Sequence, residues 1–171
     1  RPIIQGIVTP QFWNLKDEAV KTLYDKHCGF NHLEIGPGPD PNVYSKTQNV
    51  TCMDINGDVL KHVKCAHPHF QTHTGNLLDK DTYPPERFDS ISCFNVMHCI
   101  PEGNKWAKML YNTHCALEEK GVLFGSSVLN NSLLSRSLNK TGVFHNVHDS
   151  VLDIERTAKV HFNVVMMENT G

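Results

Sequence analysis

The residues that first invite chemistry are Leu33-Glu34-Ile35-Gly36-Pro37-Gly38, a short strand-like run carrying a carboxylate and leading into two glycines, followed further along by Asp54. Glycines directly after a buried strand let the backbone turn tightly and approach a bound molecule closely. An acidic residue that ends the next strand, about 20 residues on, is placed to hydrogen-bond the hydroxyls of a ribose. The pairing points to a cofactor that contains a nucleoside. Carboxylates are costly to bury where two adjacent parallel strands open unless something pairs with them, which favours ligand roles for Glu34 and Asp54 over ordinary polar strand ends.

A second set, Cys52, His62, Cys65, His67, His69 and His73, has ligand types suited to zinc. It contains no Cys-x-x-Cys and straddles a strand, a helix and a loop, so no metal is expected. The six cysteines lie in apolar or helical segments rather than in a small loop-rich scaffold, and are read as reduced.

Alternating elements must position these groups. A helix is expected from about Lys16 to Cys28, with Asn14 as its cap and Gly29 as its stop. Strands are expected at 31–35, 49–54, 69–74, 88–94, 121–129 and 162–167. Helices are expected at 57–66, where Pro68 ends the run, and at 105–117, 133–138 and 150–160. Strands that alternate with helices in this way predict a doubly wound, mostly parallel α/β sheet with ligands at the carboxyl ends of the strands. At 171 residues the chain is the size of a single domain.

The ordered set Leu33–Gly38, Asp54, Gly75-Asn76-Leu77, Phe88-Asp89-Ser90-Ile91 through Met97-His98-Cys99-Ile100-Pro101, and Leu117–Leu123 is similar to the motifs of class I S-adenosylmethionine (SAM)-dependent methyltransferases. With Gly142-Val143-Phe144-His145-Asn146 it resembles a subgroup from bacteria and fungi that acts on small molecules. The resemblance covers nearly the whole chain after about Trp13 and implies a Rossmann-like methyltransferase fold. It further implies that Glu34, Gly36 and Gly38 cradle the methionine and ribose part of SAM, Asp54 holds the ribose hydroxyls and Ile55 packs on the adenine. Asn76 and Leu77 would frame the adenine ring, and Asn95 would face the methionyl group. For Asn76 an ordinary loop role is an equal alternative. His98 reads either as a general base, by virtue of its ordinary pKa near neutrality, or as packing. Phe144 and His145 lie in residues 130–148, the expected acceptor-side helix and loop, and are candidates for binding the acceptor.

The sequence departs from this family in two places. A third glycine is common where Gly38-Pro39-Asp40-Pro41 places Asp40, whose charge would oppose a cofactor carboxylate. This keeps a catalytically inactive, methyltransferase-like binding or regulatory subunit as the alternative to an enzyme. Residues 1–13 read as an N-terminal extension, and the antiparallel strand that usually completes the sheet is missing. That predicts a truncated domain, or a sheet edge covered by a second copy or a partner chain.

Composition narrows the field of partners. A formal charge of −2 gives no overall basic field, and Lys46, Lys61, Lys64 and Lys80 are scattered rather than aligned, which disfavours an RNA-modifying enzyme and nucleic acid as a partner. The turn lacks the further glycine of the dinucleotide motif, which disfavours an NAD-dependent oxidoreductase. No apolar run reaches the ~20 residues needed to span a bilayer, and the start Arg1–Gly6 does not resemble a signal peptide. The expectation is a soluble, cytoplasmic enzyme that uses SAM to methylate a small molecule of specialised metabolism, yielding S-adenosylhomocysteine.

Overall fold

Short β-branched runs alternating with helical periods resolve into seven strands and five helices among the described residues, 3–9, 17–38, 49–130 and 132–169 of a computed structural model. The strands are β1 (Ile3–Thr9), β2 (Asn31–Ile35), β3 (Asn49–Asp54), β4 (Gln71–Thr74), β5 (Phe88–Phe94), β6 (Leu117–Val128) and β7 (Val164–Asn169). The helices are α1 (Asp17–His27), α2 (Gly57–Ala66), α3 (Lys105–Ala116), α4 (Leu133–Lys140) and α5 (Val151–His161), with 3-10 turns at Lys80–Thr82 and Met97–Cys99. Asn14 and Asp40 lie outside the described residues.

Local chemistry sets the helix ends. The Asn56 side chain accepts the Asp58 amide to start α2, and Ser150 does the same for Asp153 in α5. Ser132 and Ser135 form a reciprocal capping box on α4.

All seven strands form one sheet in the order β4-β3-β2-β5-β6-β1-β7, and every pairing is parallel. Residues 1–13, expected to be an extension, therefore contribute an interior strand: Ile3 pairs with Val122 of β6 on one side and Val164 of β7 on the other. No antiparallel strand is present among the described residues. β1 fills the place between β6 and β7 with parallel pairing, so a segment of the chain itself pairs the strand edges there that were expected to need covering. The pairing partners of β1 come from the far end of the sequence, which is why local patterning did not reveal it.

The two faces of the sheet have different chemistry. On one, Leu33, Ile35, Met53, Ile91 and Leu123 pack with Met109 and Leu110 of α3 and Ala158 of α5 into the main apolar core. On the other, Leu60 and Val63 of α2 pack with Val50, Cys52 and Phe70. Under α1, however, β2 and β5 present His32, Glu34, Ser90 and Ser92, all buried. His32 spans both serines, at 2.9 Å from Ser90 Oγ through Nδ1 and 2.9 Å from Ser92 Oγ through Nε2. Ser92 donates to Glu34 Oε2 at 2.5 Å, Tyr24 Oη donates to the same oxygen, and His32 Nε2 lies 3.3 Å from it. A buried polar layer persists only when its members find partners, and this one does. Burial, reinforced by the charge of Glu34, drives the Tyr24 phenol far above its usual range, so it acts as a permanent donor.

Candidate active site

At the carboxyl ends of β2, β3 and β4 the chain encloses a cavity of about 280 Å³. Of the expected cofactor residues, Gly36, Asp54, Ile55, Asn76 and Leu77 share its wall. Gly36 adopts φ +65°, donates its amide to Met53 O at 2.9 Å, and has no space for a side chain, since a Cβ would run into Val96 Cγ2. Asp54 ends β3, and its Oδ1 accepts the Asn56 amide at 2.8 Å, which fixes the carboxylate beside the cavity. Ile55 next to it leaves 71% of its surface exposed, an apolar side chain without a full set of protein neighbours.

The floor beyond β4 is held by its own turn. Gly75 donates to Asp54 O, Asn76 Oδ1 accepts the Leu78 amide, and the Asn76 amide donates to Thr82 Oγ1. The Leu77 carbonyl receives both Tyr83 Oη (3.1 Å) and Asn112 Nδ2 (3.0 Å), which ties this turn to α3. The Asn76 side chain thus shapes the loop through its Oδ1.

Three other expected cofactor residues lie outside this wall. Glu34 is buried in the polar layer beneath α1, with Oε2 engaged as described. Gly38 has φ +65° and no atom near the position of a Cβ. Asn95 also has a positive φ, 55°, at the end of β5, where its Oδ1 accepts from Ser126 Oγ at 3.1 Å. The Asp89-Ser90 part of the quoted motifs sits at the opposite, amino end of β5. Asp89 Oδ2 accepts the amides of Phe30 and Asn31, and Ser90 Oγ accepts that of Gly29, so these residues anchor the turn into β2.

A second cavity, of about 390 Å³, adjoins the first, with Pro101 and Glu102 in both walls. Phe144 and His145 face it together, along with Trp106 and Lys105 from the start of α3. His98 lines neither cavity. It is 4% exposed, its ring meets that of Phe144 edge-on with centroids 4.4 Å apart, and its carbonyl accepts the His145 amide at 2.7 Å. Burial, aided by the charge of Lys105, pulls its imidazole down to about 4. That value makes it neutral and weakly basic, which suits packing better than general-base chemistry.

Sequence reasoning missed the polar residues that hold the second cavity together. Lys105 is 2% exposed, and its Nζ lies 2.9 Å from Asp149 Oδ2 while donating to His145 O (2.7 Å) and Ile100 O (3.3 Å). Asn146, fully buried, donates to Val128 O at 2.6 Å and exchanges hydrogen bonds with Asn139. Among the described residues there is no group of His, Cys, Asp or Glu side chains that could hold a metal ion, and no helix long and apolar enough to cross a membrane.

The first cavity has the chemistry a nucleoside requires: a fixed carboxylate for a diol, apolar Ile55, Leu77 and Met53 for a flat base, and backbone without side chain at Gly36. Comparison with known proteins bears on the family and the fold. No family model matches the chain. Methyltransferase verB of Penicillium polonicum is 38% identical over 194 residues, covering 95% of this chain and 85% of its own. Demethylluteothin O-methyltransferase of Streptomyces thioluteus is 26% identical over 95% of this chain and 77% of its own. Among solved structures, the N-methyltransferase NodS from Bradyrhizobium japonicum WM9 superposes with a TM-score of 0.63 at 15% identity, over 84% of this chain and 78% of that one. DesVI of Streptomyces venezuelae matches with a TM-score of 0.51 at 15% identity, and there the chain spans 45% of the neighbour's length. At such identities the structural likeness bears on the fold.

Proposed function

Because this chain belongs to the class I SAM-dependent methyltransferases, we propose that it methylates a small-molecule acceptor held in the cavity of Phe144 and His145 while SAM occupies the cavity of Gly36 and Asp54. The observation that carries this reading is the adjacency of the two cavities across Pro101 and Glu102 at the carboxyl end of the sheet. The relatives that support the acceptor class include an O-methyltransferase acting on demethylluteothin and a protein of a physcion biosynthesis cluster. A role in specialised metabolism and a cytoplasmic location belong to the same proposal.

SAM supplies a methyl group already activated on a sulfonium, so the protein's task is alignment and exclusion of water rather than strong acid–base chemistry. Asp54 would accept hydrogen bonds from the ribose hydroxyls. Ile55 and Leu77 would cover the adenine, and the bare backbone at Gly36 would let the chain approach the ribose and methionine part. Phe144 and His145 would bound the acceptor on the far side. Glu34 acts one layer down, where Tyr24, Ser92 and His32 hold the strand that delivers Gly36.

Titration calorimetry with SAM tests the assignment directly. The unaltered chain should bind, and Asp54→Ala should weaken binding by about 1–3 kcal/mol, the scale of a lost hydrogen bond to a charged group. Unchanged affinity in the variant would remove Asp54 from the ribose role, and absence of binding to the unaltered chain would remove the cofactor.

A further inference from the structure

A buried lysine at the first position of a helix is an unfavourable placement, since the helix dipole opposes a positive charge there and burial penalises it. Lys105 occupies that position at the start of α3, where the Asn104 side chain makes no capping hydrogen bond. Its ammonium reaches three separate points: Asp149 Oδ2 and His145 O in the wall of the acceptor cavity, and Ile100 O in the wall of the cofactor cavity.

The 144–149 segment has two distinct sets of attachments. One runs through Asn146 to Val128 O and Asn139 and through the Phe144 amide to Leu138 O, and fastens the segment to the end of β6 and to α4. The other runs to the 98–105 segment, through Lys105 and through the His145 amide on His98 O. Among the described contacts of this second attachment, those that do not use the ammonium are the bond from His145 to His98 and the meeting of the Phe144 and His98 rings.

We propose that Lys105 is a positioning residue that ties the acceptor-cavity wall at His145 and Asp149 to the cofactor-cavity wall at Ile100, so that a molecule bound in the cofactor cavity orders the acceptor cavity beside it. The inference rests on the assignment of the two cavities above. Ile100, Pro101 and Glu102 border the cofactor cavity, so a bound nucleoside restrains their backbone. Lys105 carries that restraint to the segment on which Phe144 and His145 sit. The pairing also explains why so costly a group is buried here: its partners lie on two segments, 144–149 and the turn at Ile100, that must be fixed relative to each other.

The test compares amide hydrogen exchange with and without S-adenosylhomocysteine in the full chain, with saturation checked independently by calorimetry. In the unaltered protein the ligand should slow exchange of the His145, Asn146 and Asp149 amides by about fivefold or more, the lower range of a coupling between sites. K105M/D149L replaces the ion pair with apolar side chains, an exchange that buried pairs often tolerate. It should bind the ligand within about threefold of the unaltered affinity and still show slowing at Gly75 and Leu78, while the slowing at 145–149 disappears. If the double variant does not fold, D149N, which keeps the two carbonyl partners of Lys105, should at least halve the slowing. Slowing at 145–149 that is equal in variant and unaltered protein overturns the proposal, as does its absence in an unaltered protein saturated with ligand. Failure of the unaltered protein to bind overturns the cofactor assignment itself, and with it the proposal.

Discussion

Burial decides the charge of His98, and the consequence can be read in acid. Its ordinary value is about 6.5, and in the folded chain it is held at about 4. Below pH 6.5 the unfolded chain takes up a proton that the folded chain refuses, so the stabilisation from a neutral His98 is complete above that pH and is lost as pH falls towards 4. Calorimetric melting temperatures should therefore fall more steeply between pH 7 and pH 4 for the unaltered protein than for His98→Leu. Parallel slopes would show that the imidazole does not titrate this way. Asp54 was legible because it terminates a recognisable strand, whereas Ile55, Asn76 and Leu77 were reached only through the resemblance of the ordered motifs; all four line the first cavity. Glu34 was visible as a carboxylate at a strand end, yet alternation along β2 places it with His32 on the α1 face, and Tyr24 and Ser92 engage it there. Lys105 was hidden because a lysine is exposed by default. The one available signal was a positive charge at the start of a predicted helix, where the dipole disfavours it.

The elements follow from two kinds of information, and only one of them is local. Helix α2 matches its expected bounds because Asn56 caps it, Val59, Leu60 and Val63 recur on one face, and Pro68 lies just beyond. Strands β2, β3 and β5 are equally clear, being short buried runs bounded by turns, with polar and apolar residues alternating in β2 and β5. The start of β6 was expected at Gly121 but lies at Leu117, with the pairing to β5 shifting register between Phe88 and Ser90. An irregularity of this kind carries no reliable composition signal. β1 depends wholly on distant partners, and its interior position gives it a sharp test. Proline removes a ladder donor and is tolerated in sheets essentially at edges, so Ile7→Pro should destabilise the fold by at least the ~1–3 kcal/mol of a buried backbone group left without its partner, measured by urea unfolding. A variant as stable as the parent would mean that β1 is not an interior strand.

For the molecule as a whole, both cavities sit at one end of the sheet because parallel strands deliver all their carboxyl ends there. The main apolar core lies between the sheet and α3 and α5, and the polar layer lies beneath α1, so the loops above are carried on a frame with little freedom of its own. The insertion of β1 also imposes an order on assembly. Its two neighbours are β6 and the later β7, so the first strand of the sheet in sequence finds one of its partners only when residues 164–169 are available. Contacts of such long sequence separation close slowly, because the entropy of the intervening loop is lost before the contacts compensate. In pulse-labelled refolding, amides of β2, β3 and β5 should gain protection first and those of Ile3–Val8 last. Until then β1 lacks one of its two neighbours and is available to any other exposed sheet edge, so the window for mispairing stays open until β7 is in place.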